Sequence, residues 1–133
     1  MTAVDTNVVV RLLTEDDPTQ TAAARSLFAA GPIWIAKTVL LETDWELRTL
    51  YGFDKSAIRE AFTKLLGLEN VHTEDKPSMV AALALTIHGV ELADAMHLSS
   101  RPPGAVFVSF DQSLVRRAKR AGEIEVSGLP AKQ

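Results

Sequence analysis

Short apolar runs alternate along this chain with longer alanine-rich or amphipathic stretches, a pattern that predicts strands set between helices. Met1 to Val4 reads as a first strand, and Asp5-Thr6-Asn7 supplies helix-capping residue types before a short helix from Val8 to Leu13. Asp16-Asp17-Pro18 punctuates the chain, and Thr19 to Ala30 is helical up to Gly31-Pro32. Ile33-Trp34-Ile35 is apolar throughout, as a strand buried on both faces should be. Thr38 to Tyr51 forms a helix closed by Gly52, and Asp54 caps another that runs to Leu66. Val71 marks a short third strand, Pro77 to His88 a helix stopped by Gly89, and Leu92 to Ser100 a helix ending before Arg101-Pro102-Pro103-Gly104. Ala105 to Phe110 is the clearest strand, Gln112 to Ala121 the last helix, and Glu123 to Val126 an edge strand. Strands joined through helices imply an α/β fold, with a central parallel sheet of four or five strands flanked by helices.

The chain has 133 residues, no linker and no repeat, so one domain over residues 1–133 is expected. That length buries roughly two-thirds of the unfolded surface. The core must be mainly aliphatic, because aromatics make up only 6%. The absence of cysteine excludes disulfides, thiolate metal sites and cysteine nucleophiles, and makes a reducing cytoplasm the default compartment. Neither a signal peptide nor a membrane-spanning run is legible. A net charge of −3 argues against gripping nucleic acid by bulk electrostatics, but not against a local basic patch.

Four carboxylates stand out by position. Asp5 and Asp111 each follow a predicted strand, on the rim where open α/β sheets gather ligands. An Asp just before a helix is ordinarily an N-cap, and that reading applies to both. Glu42 lies one turn into its helix between Val39 and Trp45, while Asp94 shares a helical stripe with Val90 and Leu98. A carboxylate on an apolar stripe needs compensation, either a salt bridge or a cation. If the four converge, their repulsion demands a metal, and oxygen-only ligands suit Mg²⁺ or Mn²⁺. Such ions could activate water and stabilise a phosphodiester transition state.

Val4-Asp5-Thr6-Asn7-Val8, Leu41-Glu42-Thr43, Ala93-Asp94-Ala95-Met96-His97 and Ser109-Phe110-Asp111 together resemble PIN-domain ribonucleases. The likeness is nearest to the VapC-type toxins of bacterial toxin–antitoxin modules and covers nearly the whole chain. It implies a PIN-like domain in which Asp5, Glu42, Asp94 and Asp111 hold one or two Mg²⁺ or Mn²⁺ ions. Asn7 and Ser109 match positions that orient those acids. It also implies RNA cleavage, a homodimer and inhibition by a cognate antitoxin. Glu91 stands where many relatives carry Asp, which leaves a role as an auxiliary ligand open.

Other residues have competing readings. His97 is either a second support for Asp94 or a core or surface histidine. Arg116, Arg117, Lys119 and Arg120 crowd the end of the last helix, where cations complement the helix dipole or, alternatively, hold RNA. Arg11 and Lys37 lie close in sequence to the acids and are candidate RNA contacts, as is Arg116. Trp34 and Trp45 read as core rather than base-stacking platforms. A receiver-type signalling domain would need a late strand-borne Lys, which Ala105 to Phe110 lacks, and Asn7 excludes an Asp-x-Asp phosphatase. The remaining alternative is a PIN-like interaction module without nuclease activity.

Overall fold

The structure is a computed structural model that describes residues 1–130; residues 131–133, part of the expected domain span, lie outside the described residues. Its elements run β1 (Thr2–Ala3), α1 (Thr6–Thr14), α2 (Pro18–Ala30), β2 (Ile33–Trp34), α3 (Lys37–Thr49), α4 (Lys55–Leu66), β3 (Val71–His72), α5 (Lys76–Thr86), α6 (Leu92–Ser99), β4 (Phe107–Ser109), α7 (Gln112–Arg120) and β5 (Val126–Gly128). Contacts divide the chain into two compact units, Met1–Lys76 and the segment from Pro77 onward.

The first unit is a three-stranded parallel sheet in the order β1-β2-β3. Thr2 pairs in register with Ile33, and Ile33 with Val71. Each parallel step is bridged by two helices, the long connection that parallel pairing requires. Ile33, Ile35 and Val71 are fully buried, as are Val9 and Val10 of α1, Leu40 and Leu47 of α3, and Phe62 of α4. The helix starts are chemically specified. Asp17 accepts the Gln20 amide at 3.0 Å with Pro18 in the first turn, and Asp54 accepts the Ala57 amide at 2.7 Å. Each cap is worth about 1 kcal/mol. Gly52, at φ +68, takes the left-handed turn that follows α3.

In the second unit β4 pairs with β5 in parallel, Phe107 opposite Val126 and Ser109 opposite Gly128. α7 packs on both strands, with Leu114, Val115 and Ala118 buried and Arg116, Arg117, Lys119 and Arg120 exposed. Gly89, at φ +83, completes the turn after α5.

The expectation of one sheet with four or five strands is corrected: hydrogen bonds join the strands as three plus two. Apolar runs mark where strands are, but the pairing edge is chosen by backbone hydrogen bonds that side-chain pattern does not encode. The last strand is also displaced, from Glu123–Val126 to Val126–Gly128. The amide of Glu123 still bonds back to Ala118 at the end of α7, and Ile124 is left exposed. No described helix is long and apolar enough to cross a membrane.

Candidate active site

Two of the four acids belong to each unit. In the first, Asp5 follows β1 and caps α1, its Oδ1 accepting the Thr6 amide at 2.8 Å. In the second, Asp111 follows β4 and caps α7, its Oδ1 accepting the Leu114 amide at 3.0 Å. The ordinary N-cap reading is therefore real for both. It uses one carboxylate oxygen of each and leaves the charge in place. Ser109 adds a further restraint, since its hydroxyl accepts the Asp111 backbone amide at 3.0 Å. Asn7 is exposed in the first turn of α1, where it lines a groove of about 280 Å³ with Arg11, Gln20 and Leu27.

Asp94 lies in the first turn of α6, half-buried, between the buried Val90 and Leu98 as its spacing predicts. Glu42 corrects the expectation of an inward face. The buried stripe of α3 is Leu40, Thr43, Asp44 and Leu47, so Glu42 faces solvent together with Trp45, which is 53% exposed. A one-residue step on a helix turns a side chain by roughly 100°, enough to exchange inside for outside. Trp34 is half-buried, nearer its expectation than Trp45.

None of Asp5, Glu42, Asp94 and Asp111 is in a salt bridge among the described residues, whereas Glu15, Asp16, Asp44, Glu60 and Glu123 each are. The compensator that would have made these acids ordinary structural pairs is absent from all four. The donor set is all oxygen and suits a hard divalent cation. Within neither unit do three or more described His, Asp or Glu side chains form a group able to hold a metal by themselves. His97 is exposed, and Glu91 precedes α6 without capping it by its side chain.

Several charged residues prove to be structural. Asp44, only 5% exposed, accepts from both Nε and Nη2 of Arg48, at 3.2 and 3.1 Å. The i,i+4 spacing of Asp44 and Arg48 was a legible signal for this pair. Arg11 is engaged more fully than its place near Asp5 suggested. Its Nε donates to Gln20 at 2.7 Å, and its Nη1 donates to the Tyr51 hydroxyl at 2.8 Å and to Asp16 at 3.2 Å. Tyr51 in turn donates to Asp16 at 2.9 Å, and so does Thr14. The Tyr51 hydrogen bond, then that of Thr14, holds the Asp16 carboxyl below its usual value, with the Arg11 charge adding less. The same Tyr51 contact raises the Arg11 guanidinium further. Nothing local in the sequence pointed to Tyr51. The backbone amide of Lys37 donates to Glu74 at 2.7 Å, which fixes the start of α3.

The family model for the PIN domain matches residues 2–120, a span that holds all four acids. No curated protein and no solved structure matches the chain significantly.

Proposed function

The chain belongs to the PIN domain family, whose members are commonly metal-dependent nucleases, and on that premise we propose that it is a ribonuclease acting through Asp5, Glu42, Asp94 and Asp111. The observation that carries the reading is that these four carboxylates, at the positions where the resemblance implies the family's acids, make no salt bridge among the described residues, unlike Asp16, Asp44 and Glu123. In this reading the four acids hold one or two Mg²⁺ or Mn²⁺ ions. The bound metal supplies an activated water and stabilises charge on the phosphodiester. The protein's own part is positioning. The Thr6 and Leu114 amides fix one oxygen of Asp5 and of Asp111, and the Ser109 hydroxyl holds the Asp111 backbone. Asn7, one residue beyond Thr6 in the same turn, stands where the resemblance implies a residue that orients the acids.

Purified protein should cleave RNA with Mg²⁺ or Mn²⁺ and stop on chelation. Asp5→Asn and Asp94→Asn should each lose at least about two orders of magnitude in rate, comparable to removing one strong electrostatic element. Undiminished cleavage in excess chelator, or near-wild-type rates in both variants, would overturn the assignment and leave the interaction-module reading.

We further propose that the enzyme is the toxin of a toxin–antitoxin pair and works as a homodimer in the cytoplasm. Support comes from the likeness of the four motifs to VapC-type toxins and from the exposed apolar side chains of Val106, Val108 and Phe110. A strictly monomeric mass at tens of micromolar would count against the dimer. Failure of the product of an adjoining reading frame to inhibit cleavage would count against the toxin role.

A further inference from the structure

Some cations of this chain are answered by other residues of it and some are not. Arg11, Arg25, Arg48, Lys64 and Arg101 each pair with a carboxylate, and Lys76 donates to the Leu68 and Val71 carbonyls. Arg116, Arg117, Lys119 and Arg120 of α7 have no carboxylate partner among the described residues, and all four are exposed. Of the four, Arg117 makes a structural hydrogen bond, donating to the Gly89 carbonyl at 3.2 Å.

The helix dipole favours Lys119 and Arg120, which lie in the last turn, but does not account for Arg116. Its favourable effect on cations is confined to the last turn, and Arg116 stands before it. Neither Lys119 nor Arg120 donates to a carbonyl at the end of α7, the contact through which a cation would cap it. Lys119 and Arg120 follow Arg116 by three and four residues, the spacing that places side chains on one helix face. The opposite face, Leu114, Val115 and Ala118, is buried. On a chain of net charge −3, unanswered like charges on one face repel each other and persist at a cost.

We infer that the solvent face of α7, formed by Arg116, Lys119 and Arg120, binds the phosphate backbone of the RNA. The choice of RNA over another polyanion rests on the nuclease reading: Asp111, one of the proposed catalytic acids, caps the first turn of this same helix. Backbone bound along α7 is thereby tethered to the element that carries a cleaving group. Arginine and lysine hold phosphates by charge-assisted hydrogen bonds, and binding releases condensed counterions.

The test is the affinity of the full chain for an unstructured 20-nucleotide RNA, read by fluorescence anisotropy in chelator so that no cleavage occurs. Each phosphate contact contributes about 0.7 to the slope of log affinity against log salt for a single strand. Arg116→Gln/Lys119→Gln/Arg120→Gln should therefore flatten that slope by about 2 and weaken binding on the order of a hundredfold at 50 mM salt. Arg116→Lys/Arg120→Lys, which keeps the charge, should retain most of the affinity, and Lys64→Gln should match wild type. Circular dichroism of each variant confirms folding. An unchanged slope in the folded triple variant would overturn the inference, as would wild-type protein that binds phosphatidylserine vesicles or polyglutamate more tightly than RNA at equal salt. Chelator-resistant binding that the triple substitution abolishes, in a protein that never cleaves with metal, would sink the nuclease reading and leave this face standing.

Discussion

Where α1 gives way to α2, Arg11 is shared among Gln20, Asp16 and Tyr51, and Asp16 collects a second hydroxyl from Thr14. On α7, by contrast, Asp111 uses one oxygen as a cap, and beyond it Arg116, Lys119 and Arg120 reach solvent with no carboxylate partner among the described residues. The first region answers its charges internally and reads as structure. The second leaves them available to something outside the chain. The same contrast occurs two residues apart on α3, where Asp44 is buried against Arg48 and Glu42 is exposed and unpaired. In these two comparisons charge type says little about role, and what differs is whether a charged partner is present.

The sharpest way to break this comparison is at Asp111, which belongs to both descriptions. Asp111→Asn keeps an oxygen for the Leu114 amide and removes the charge. RNA cleavage should fall by about two orders of magnitude while the melting temperature stays within experimental error. Asp111→Ala should lose the same activity and also about 1 kcal/mol of stability through the missing cap. If the Asn variant cleaved normally and only the Ala variant suffered, Asp111 would be a cap and nothing more.

The next effect is on stability alone. Arg48→Met leaves the Asp44 carboxylate buried without its donor, which should cost about 2 kcal/mol, less than for a fully buried pair because Arg48 is partly exposed. Glu42→Gln, a short distance along the same helix, should leave urea-unfolding midpoints unchanged and remove activity. Equal destabilisation by the two would erase the distinction drawn on α3.

The smallest effect concerns Tyr51→Phe, which deletes the hydroxyl linking Arg11 to Asp16. Because Asp16 is held below its ordinary value of 3.8, its contribution to stability is fully present above that pH. It is lost as acid protonates the folded carboxylate. Wild type should therefore melt slightly above Tyr51→Phe at pH 7, and the gap should close as pH falls below 3.8. A gap independent of pH would mean that the hydroxyl acts through its hydrogen bond from Arg11 or through packing, and not through the hydrogen bond to Asp16.

Much of this organisation was legible along the chain. The cap at Asp54, the breaks at Asp16-Asp17-Pro18, Gly52 and Gly89, and the placement of Asp5 and Asp111 beyond strand ends all follow from local backbone chemistry. Such features depend on neighbours within a turn or two, so residue order alone specifies them. The four candidate acids were singled out in the same way, as residue types set at particular points on particular elements, with the face of Glu42 misjudged.

Tertiary structure decided the rest. The side of α3 that faces inward was not legible, because Val39 and Trp45 flank Glu42 as plausibly as Leu40 and Leu47 flank Asp44. Contact with other elements made the second stripe the buried one. Tyr51 reaches Asp16 across 35 residues, a meeting that depends on α3 packing beside α1. The division of the described strands into sheets of three and two likewise rests on hydrogen bonds between distant segments. Sequence determined what each element could offer, since capping and periodicity act over one or two turns. Which charges were answered was settled only when chain closure brought remote partners within about 3 Å, the range in which a hydrogen bond has any strength.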